Sequence, residues 1–552
     1  MTTEVFHSAL TAPGSPQAPP DGLPAGTVFP GAIYPAATAP PPRTLWQVLE
    51  ATAEAFPHAA AIDDGNSVLD YAGLLQAVRH VGEKLSSVGI GAGDRVGIRV
   101  SSGTAELYVS ILAVLSVGAA YVPVDVDDPD DRAELAWSAA GVCAVITDSG
   151  LTCRNARPAG AGARRPDPRD DAWIIFTSGT TGTPKGVAVT HRSAAAFVDA
   201  EAGLFLRDDP LGPGDRVLAG LSVAFDASCE EMWLAWRHGA CLVPAHRSIV
   251  KTGPELAPWL VQRRISVVST VPTLASLWPA ESLGGVRLLI LGGEACPSGL
   301  ADRLTAQEGT LPGQGREVWN TYGPTEAAVV SCAARLSRGE PVRIGLPLDG
   351  WRLAVVSQAG GQPVPWGEVG ELIIGGTGVA RYLDPDKDAV GFRPAQALGW
   401  ERAYHTGDLV RADPEGLIFV GRADAQVKIM GGSAPWRPGQ VPDQPAYPRA
   451  WATGSQPATG QLLAGLLLDP GGRAEASVLA SADPQGIRWR PGERLEDLFE
   501  ERCDQLRRAS RDSDLIVDGP GGRMSYCELD ARANQLARFL IARQGVRPGD
   551  RV

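Results

Sequence analysis

One segment, residues 174–190, constrains the fold of this chain more than any other. An apolar, β-type run leads into a loop of small hydroxyl and glycine residues that ends in Pro184-Lys185-Gly186, and a second β-type run follows. Glycine lets backbone N–H groups approach phosphate oxygens, hydroxyl groups add donors, and lysine supplies a point charge. The pattern predicts a strand–loop–strand unit that binds nucleotide phosphates. The alternative interpretation is an ordinary Gly/Thr-rich surface hairpin.

Several other phosphate-binding and catalytic motifs are absent. A Walker loop has the pattern G-x-x-x-x-G-K-[ST] and runs into a helix, whereas Gly179 is followed five positions later by Pro184. No G-x-S-x-G is present for a serine hydrolase, and no two histidines have H-x-x-x-H spacing. The glycine-rich stretch at 89–93 follows a predicted helix and precedes a predicted strand, which is the reverse of a dinucleotide fingerprint.

Composition narrows the class of protein further. With 552 residues, 44% hydrophobic and 20% charged, the chain is long enough for more than one domain. A formal net charge of −13 argues against a nucleic-acid partner. No apolar stretch approaches the roughly 18 residues of a membrane span, and the first residues do not resemble a secretory signal. Eight cysteines without a C-x-x-C motif argue against zinc and against a disulfide framework. We therefore expect a cytoplasmic protein.

The pattern along the chain predicts an α/β fold with stacked, mixed or largely parallel sheets. Helical periodicity at 45–56 and 71–85 alternates with short β-branched runs at 95–100, 142–147 and 267–270. Residues 1–43 are rich in Pro, Ala and Gly and are predicted to form a disordered or polyproline-like leader.

An internal repeat links the two ends of the chain. Residues 69–96 resemble residues 524–552, with a matching helical pattern between Leu-Asp-Tyr or Met-Ser-Tyr and Gly-Asp-Arg-Val. We expect residues 491–552 to be the truncated start of a second unit. Chance similarity between two amphipathic helices is the alternative.

The string TSGTTGTPKG at 177–186 resembles the phosphate loop of adenylate-forming enzymes, which include acyl-CoA ligases, luciferases and the adenylation domains of nonribosomal peptide synthetases. Six further blocks resemble motifs of the same family and follow in the family's order. They lie at 119–125, 225–228, 320–326, 370–372, 404–409 and 421–429. The resemblance covers residues 44–430 and implies the adenylate-forming fold, with its large N-terminal subdomain at 44–424.

The chain departs from the family pattern after Ile429. Family members continue into a small C-terminal subdomain with a catalytic lysine, whereas Pro, Gly and Ala dominate here as far as residue 490 and no P-x-x-x-x-G-K follows. Carrier-protein and condensation-domain signatures are also absent. We therefore expect residues 425–490 to be a hinge plus an irregular segment, and the small subdomain to be missing or degenerate.

The resemblance implies a reaction in which an amino acid and ATP form an aminoacyl adenylate and pyrophosphate. Charge that develops on phosphate oxygens calls for Mg²⁺, lysine and backbone donors. The implied phosphate-binding residues are Thr177, Ser178, Gly179, Thr180, Thr181, Gly182 and Lys185. The implied roles elsewhere are Glu326 as the Mg²⁺ ligand, Thr325 at the α-phosphate, Asn320 and Tyr322 beside adenine, Asp408 at the ribose hydroxyls, Arg422 at ribose and phosphate, and Asp424 as the hinge.

The implied amino-acid pocket contains two carboxylates. In family order its residues are Asp226, Ala227, Glu230, Ser269, Ile290, Gly292, Thr321, Val329 and Val330. Asp226 is expected to pair with the substrate α-ammonium, because a buried ammonium needs a charged partner. Glu230 predicts a second cationic group on the substrate, and Gly292 is expected to leave room for a long substrate side chain. The alternative for Glu230 is a solvated position on a helix face.

These residues resemble the polylysine-synthetase-like group and predict lysine as the substrate, with ornithine or another diamino acid as the alternative. A carrier protein bearing phosphopantetheine, in the same or a separate chain, is the partner that the family implies. Two other functions stay open at this point. The chain is either a catalytically impaired homologue that binds ATP and an amino acid, or a fragment of a longer synthetase.

Overall fold

A computed structural model describes residues 31–35, 37–154, 164–177, 184–252, 255–306, 315–357, 361–423, 426–429, 432–435, 515–519 and 522–525. The chain divides into two compact units, Met1–Pro438 and Gly439–Val552. The helices are α1 (Leu45–Ala55), α2 (Tyr71–Ser87), α3 (Ala105–Ser116), α4 (Asp130–Ala140), α5 (His191–Ala202), α6 (Ser228–Trp236), α7 (Arg247–Thr252), α8 (Leu256–Gln262), α9 (Pro272–Ser276), α10 (Ser298–Thr305) and α11 (Pro385–Gly391). Short 3₁₀ helices span Ala280–Leu283, Thr325–Ala327 and Gln396–Leu398.

The strands are described in chain order, and most of them belong to the first unit. They are β1 (Ile33–Tyr34), β2 (Ala60–Asp63), β3 (Val68–Asp70), β4 (Arg95–Arg99), β5 (Ala120–Pro123), β6 (Ala144–Thr147), β7 (Gly150–Cys153), β8 (Asp171–Thr177), β9 (Lys185–Thr190), β10 (Arg216–Ala219), β11 (Cys241–Pro244), β12 (Val267–Thr270), β13 (Leu288–Leu291), β14 (Glu317–Tyr322), β15 (Cys332–Arg335), β16 (Leu346–Pro347), β17 (Trp351–Val356), β18 (Val369–Gly376), β19 (Arg381–Tyr382), β20 (Phe392–Ala395), β21 (Trp400–Arg411), β22 (Ile418–Arg422), β23 (Gln426–Ile429), β24 (Gly432–Pro435), β25 (Leu515–Gly519) and β26 (Gly522–Ser525).

Three sheets organise the first unit. One has the order β19-β9-β8-β5-β4-β6-β7, and a second has the order β16-β15-β14-β13-β12-β10-β11-β2-β3. The third has the order β1-β17-β18-β21-β20, with β22 paired to β21. Strands β10 to β14 are joined by parallel pairs within the second sheet, and β14 pairs antiparallel with β15. The pairs within the third sheet are antiparallel. The predicted α/β class with mixed sheets is confirmed.

Helices join the first two sheets around a shared core. Helix α3 is buried on almost all sides and packs on β4 and β5 of the first sheet. Helix α5 contacts β8 and β9, helix α6 contacts β10, β11 and β12 of the second sheet, and α5 contacts α6. A helix that is apolar all round belongs between layers, because no face of it is suited to water. The α5–α6 contact lies beside the strands that carry the predicted site.

The local patterns named in the sequence match the observed elements. Helix α1 begins at a capping box in which Thr44 and Gln47 satisfy each other's backbone N–H groups, and the side chain of Asp70 caps α2. The predicted strands at 95–100, 142–147 and 267–270 correspond to β4, β6 and β12. The helical predictions at 45–56 and 71–85 are likewise confirmed.

The prediction of a disordered leader over residues 1–43 was wrong at its C-terminal end. Strand β1 pairs antiparallel with β17, Ala32 is fully buried, and the hydroxyl of Tyr34 donates to the carbonyl oxygen of Asp413 at 2.8 Å. Arg43 forms an ion pair with Asp199. Strand β17 supplies backbone partners to residues 33 and 34. The composition of a segment does not show that another strand will pair with it. Residues 1–30 lie outside the described part of the chain.

The segment expected to be irregular, 425–490, begins with a hairpin. Strand β23 pairs antiparallel with β24, so Val427 lies opposite Ala434. Regular structure at residues 426–429 and 432–435 therefore corrects the prediction, because the backbone groups of two short strands satisfy each other despite the Pro- and Gly-rich composition. Asp424 and residues 436–490 lie outside the described residues. Among the residues that the structure describes, no helix has the length and hydropathy needed to cross a membrane.

The two copies of the internal repeat share a hairpin. Strands β2 and β3 pair antiparallel, with Ala60 opposite Asp70 and Ile62 opposite Leu69. Strands β25 and β26 pair in the same way, with Leu515 opposite Ser525 and Val517 opposite Met524. One unpaired residue interrupts the ladder at the same place in both hairpins. A shared register and bulge form a more specific likeness than helical periodicity, because bulges sit at particular positions of a ladder.

Candidate nucleotide and substrate site

The glycine-rich loop closes a hairpin of the first sheet. Strand β8 ends at Thr177 and β9 begins at Lys185, and these two residues lie opposite each other in the antiparallel ladder. The strand–loop–strand arrangement expected from the sequence is therefore confirmed for the two flanking strands. Ser178, Gly179, Thr180, Thr181 and Gly182 lie outside the described residues, and their contacts with phosphate stay a prediction.

Strand pairing brings Lys185 close to Glu326. Strand β19 pairs with β9, which places Tyr382 opposite Val187. The Nζ atom of Lys185 lies 5.2 Å from the centre of the Tyr382 ring, within range of a cation–π interaction. The hydroxyl of the same tyrosine donates to Glu326 Oε1 at 2.6 Å. One aromatic side chain thus connects the predicted phosphate-binding lysine to the predicted metal ligand.

Glu326 is held in a short 3₁₀ helix after β14 and is 8% exposed. Its backbone carbonyl accepts from the N–H of Ala380 at 2.9 Å, and Tyr404 forms a hydrogen bond with the Tyr382 hydroxyl. Burial, and then the charge of Glu326, raise the pKa of both tyrosines, so both hydroxyls stay protonated and can donate. Tyr382 was missed in the sequence. Its only signal is a place between two predicted motifs, and its contacts depend on β19 pairing with β9.

The surroundings of Glu326 fit a magnesium ion. Tyr382 engages one carboxylate oxygen, and an ionised carboxylate offers about four lone-pair sites. Magnesium is held in nucleotide sites by one or two carboxylates together with substrate phosphates. A positioned carboxylate beside the predicted phosphate-binding hairpin meets this requirement. Thr325, the preceding residue, lies in the same 3₁₀ helix.

A second cluster surrounds Asp408, which is 2% exposed. Asp408 lies opposite Arg422 in the β21–β22 ladder, and Arg422 Nη1 donates to Asp408 Oδ1 at 2.7 Å. The hydroxyl of Tyr322 donates to Asp408 Oδ2. Burial, and then the negative charge of Asp408, raise the pKa of Tyr322. Asp408 and Arg422 do not form an ordinary surface ion pair, because the carboxylate is buried and held by two donors.

Asn320 precedes this cluster on β14 and is 2% exposed. Its Nδ2 donates to the carbonyl oxygen of Arg343 at 2.8 Å, and the ring of Tyr322 packs on Phe419 at a centroid distance of 6.4 Å. These contacts orient Asn320 and Tyr322 at the C-terminal end of one strand. Their predicted position beside adenine stays a prediction.

Three of the predicted pocket residues lie at one edge of the second sheet. In the parallel ladders, Ser269 of β12 lies opposite Ile290 of β13, and Leu291 lies opposite Asn320 of β14. Ligands bind at the carboxyl ends of parallel strands, where successive loops diverge. Ser269, Ile290 and Thr321 are all buried there.

Two glycines near this edge are required by close packing. A Cβ at Gly292 would lie 2.6 Å from Thr321 Oγ1, and a Cβ at Gly323 would lie 2.2 Å from the carbonyl oxygen of Val329. The sequence explained Gly292 by space for a long substrate, whereas the structure adds the close approach of Thr321. Val329 has a φ of 70°, and both it and Val330 are buried.

Asp226 and Ala227 precede helix α6, and Glu230 lies in its first turn. Asp226 is 5% exposed and Glu230 is 2% exposed. Glu231 is buried as well, and it accepts from the backbone N–H groups of Gly220 and Leu221 at 3.0 and 3.1 Å. The alternative of a solvated helix face for Glu230 is therefore wrong. Burial raises the pKa of Glu231 to about 8.

Glu230 has two polar neighbours, one of which the sequence did not indicate. The hydroxyl of Ser269 donates to Glu230 Oε2, and the carboxyl group of Glu201 on α5 lies within hydrogen-bonding reach of Glu230. Burial, and then the charge of Glu230, raise the pKa of Glu201 well above its usual value. Glu201 lies on the buried face of α5 with Phe197 and Val198. This position on an otherwise apolar helical face is the sequence signal that could have identified it as a site residue.

Comparison with known proteins decides the family. Residues 49–383 match the family model described as AMP-binding enzyme. The chain belongs to the AMP-binding enzyme family. Within it, the similar proteins identify the chain as an adenylation domain of the nonribosomal peptide synthetase type, and the adenylate-forming fold expected from the sequence is confirmed.

Two curated members of this AMP-binding group illustrate the similarity. The delta-poly-L-ornithine synthetase of Acinetobacter baumannii is 35% identical over 410 residues, which cover 70% of this chain and 30% of that protein. The phosphinothricin tripeptide synthetase PhsC of Streptomyces viridochromogenes is 35% identical over 415 residues, which cover 70% of this chain and 37% of that protein. The chain therefore spans about a third of the length of these relatives.

Solved structures of AMP-binding enzymes have the same fold. A four-domain nonribosomal peptide synthetase bound to AMP and glycine matches 72% of this chain and 30% of its own, with a TM-score of 0.60 and 29% identity. The N-terminal subdomain of Klebsiella oxytoca NpsA, in complex with 3-hydroxyanthranilyl-AMSN, matches 69% of this chain and 100% of its own, with a TM-score of 0.58 and 26% identity. The match thus extends over the whole of that N-terminal subdomain.

Proposed function

We propose that this chain activates an amino acid that carries a second cationic group, lysine or ornithine, by forming its adenylate from ATP. The observation that carries the proposal is the buried carboxyl group of Glu230 beside Asp226. A buried carboxylate is costly unless a cation or a donor accompanies it. A substrate with two ammonium groups supplies one cation for each carboxylate.

The family comparison supports the reaction, and one relative supports the substrate class. The Acinetobacter relative is by name a synthetase of poly-L-ornithine. Ornithine and lysine differ by one methylene group, which changes binding in an apolar pocket by only about 1–3 kcal/mol. A second ammonium changes the charge in the pocket, so Glu230 separates diamino acids from neutral ones more strongly than it separates lysine from ornithine.

The residues of the site divide the work of adenylate formation. Asp226 receives the α-ammonium and so directs the substrate carboxylate towards the α-phosphate of ATP. Lys185 and the loop that it closes bind phosphate oxygens, and Asp408 accepts the ribose hydroxyls through the lone pairs left beside Arg422 and Tyr322. Glu326 and Thr325 hold the α-phosphate side, where Mg²⁺ bound by Glu326 supplies charge stabilisation. Positioning and electrostatics account for the chemistry.

A second function rests on the sequence after Ile429. Residues 430–552 contain no P-x-x-x-x-G-K element, so the family's catalytic lysine has no counterpart there. A chain without that donor binds ATP and amino acid and forms adenylate slowly, because loss of one transition-state donor typically costs about 10²–10³ in rate. A carrier protein with phosphopantetheine, in the same or another chain, remains the partner that we propose for an active enzyme.

Amino-acid-dependent pyrophosphate exchange tests the substrate. Lysine and ornithine are expected to support exchange, whereas norleucine, which has a methyl group in place of the distal ammonium, is not. Glu230→Gln is expected to weaken the diamino acids by about 1.5–3 kcal/mol, the range for a hydrogen bond to a charged group. Equal use of norleucine and lysine by the unmodified chain would refute the proposal.

Hydroxamate release with ATP and the preferred amino acid separates the enzyme from the binding-only homologue. Turnover on the order of 1 s⁻¹, an ordinary enzyme rate, supports the ligase. Tight binding of both ligands in calorimetry without product supports the alternative.

We also propose that residues 491–552 belong to a second, similar unit. The support is the hairpin β25–β26, which has the register and bulge of β2–β3 at the equivalent point of the repeat. A longer chain with an intact second large subdomain is expected to bind two ATP molecules per polypeptide in calorimetry. One molecule per polypeptide would contradict this assignment.

A further inference from the structure

Helices α5 and α6 bring two carboxyl groups together beside Ser269, a residue of the proposed pocket. Glu201 projects from α5 and is 3% exposed, and Glu230 projects from α6 and is 2% exposed. The two groups lie within hydrogen-bonding reach of each other, and Ser269 donates to the second one. Among the described residues, no Lys, Arg or His forms an ion pair with either carboxyl group.

One oxygen atom of each carboxyl group has no hydrogen-bond donor among the described residues. Glu201 Oε1 and Glu230 Oε1 are buried, and no N–H or O–H group of the described residues donates to them. Two ionised carboxylates cannot donate to each other, so a contact between them requires a shared proton. The pair then carries at most one negative charge, which no described cation balances.

We propose that Glu201 is a further specificity-determining residue, and that the Glu201–Glu230 pair, sharing one proton, receives the distal ammonium of the substrate. This inference rests on the proposed diamino-acid function. With the substrate bound, Glu201 keeps the proton and donates it to Glu230, which is then the carboxylate. An ammonium has three donors and can therefore engage the unpaired oxygens of both groups. The assignment balances one negative charge against one positive charge.

The surrounding charges support this distribution of the proton. The groups that face Glu230 are Glu201 on α5, Asp226 before α6 and the adjacent Glu231 on α6. All are acidic, and Arg247, the cation that acts on this region, lies near Glu231 and pairs with Asp125 at 3.6 Å. Burial and Asp226 raise the pKa of Glu230, and burial raises that of Glu201 further. In the empty pocket, protons therefore neutralise the carboxyl groups of Glu201 and Glu230, whereas a bound substrate cation would neutralise the charge of Glu230.

Ligand binding is consequently linked to proton release. When the ammonium enters, it favours the ionised form of Glu230, and Glu230 releases the proton that it holds in the empty pocket. Affinity for a diamino acid therefore rises with pH above the usual carboxyl range, up to the pH at which the substrate ammonium loses its own proton. A neutral amino acid of the same length gains nothing from this change.

Calorimetric titration of the full chain with ornithine, lysine and norleucine, in the presence of a non-hydrolysable ATP analogue, tests the inference. Glu201→Leu removes the donor and one acceptor, and we expect it to weaken the diamino acids at least tenfold while norleucine changes less than threefold. Glu201→Gln retains a donor and an acceptor and is expected to restore affinity to within about threefold of the unmodified chain. Glu231→Gln is the matched control, because Glu231 is equally buried but binds backbone N–H groups, and the preference for diamino acids should survive.

The outcomes separate this inference from the function on which it rests. If the unmodified chain binds norleucine as well as it binds lysine and ornithine, the proposed function and the inference both fail. If the unmodified chain prefers diamino acids but Glu201→Leu retains that preference, only the role of Glu201 is refuted. Binding of ornithine that does not vary with pH above the usual carboxyl range, with no proton release in buffers of different ionisation enthalpy, also overturns the shared-proton assignment.

Discussion

Replacement of Tyr382 by phenylalanine tests how the predicted metal ligand is held. The hydroxyl of Tyr382 donates to Glu326 Oε1 at 2.6 Å and lies in a side chain that is 6% exposed. A hydrogen bond to a charged group contributes about 1.5–3 kcal/mol, and burial means that water does not replace the lost donor. Tyr382→Phe is therefore expected to lower the free energy of unfolding by about that amount.

The same change should also weaken ATP binding in the presence of Mg²⁺. Without its donor, Glu326 loses the contact that orients its carboxylate, and 1.5 kcal/mol corresponds to roughly tenfold in affinity. The phenylalanine ring retains the contact with Lys185, whose Nζ lies 5.2 Å from the ring centre. The effect therefore isolates the hydroxyl. Urea unfolding and calorimetric titration with ATP and Mg²⁺ measure the two quantities.

Tyr404→Phe provides the matched control. Tyr404 forms its hydrogen bond with the Tyr382 hydroxyl rather than with the carboxylate of Glu326. A bond between two neutral groups contributes about 0.5–1.5 kcal/mol, so this variant should lose less stability and retain more ATP affinity. The reasoning is refuted if Tyr382→Phe changes unfolding by less than 0.5 kcal/mol, on the order of the smallest net hydrogen bond, or if both variants weaken ATP equally.

Three further predictions follow from buried groups of the first unit. Asp408→Asn removes the charge from a buried pair and should destabilise the fold by about 3–5 kcal/mol and abolish calorimetric ATP binding; an unchanged ATP affinity would count against the ribose role. Gly292→Ala places a Cβ 2.6 Å from Thr321 Oγ1 and should cost about 1–3 kcal/mol in urea unfolding, whereas Gly299→Ala, with nothing within 4 Å of its Cβ, should be neutral or stabilising. Burial lowers the pKa of His191 to about 4, so the unfolded chain binds more protons than the folded chain. The free energy of unfolding therefore falls as pH drops below about 6.5, by roughly 2 kcal/mol between pH 7 and pH 5. The urea midpoint of His191→Gln should vary less with pH than that of the unmodified chain, and an equal variation in both would contradict this.

Much of the local structure could be predicted without tertiary information. The capping residue Thr44, the helical period of α2 and the β-branched run of β12 each depend on nearest neighbours along the chain. The two strands that flank the glycine-rich segment, at Thr177 and Lys185, could be predicted for the same reason. Turn-forming residue types act locally along the chain. The motif order then predicted the family.

The corrections arose where two backbone segments pair. Residues 31–35 were expected to be disordered, because their composition does not show that β17 supplies an edge. The hairpin that begins at Gln426 was likewise hidden by the Pro- and Gly-rich composition of the segment that follows it. Backbone pairing is a property of two segments, and a pattern read along one of them does not show its partner.

The sequence by itself determined which residue types are available to the predicted site. It placed Asp226, Glu230 and Asp408 in recognisable motifs and predicted an acidic pocket for a cationic substrate. Only the tertiary structure decided what these carboxyl groups contact. Helix packing brought Glu201 to Glu230, and sheet pairing brought Tyr382 to Glu326. The charge and the donor capacity of a side chain follow from its residue type. Its burial and its hydrogen-bond partners depend on segments far apart in the chain, and burial and partners set the protonation of the group.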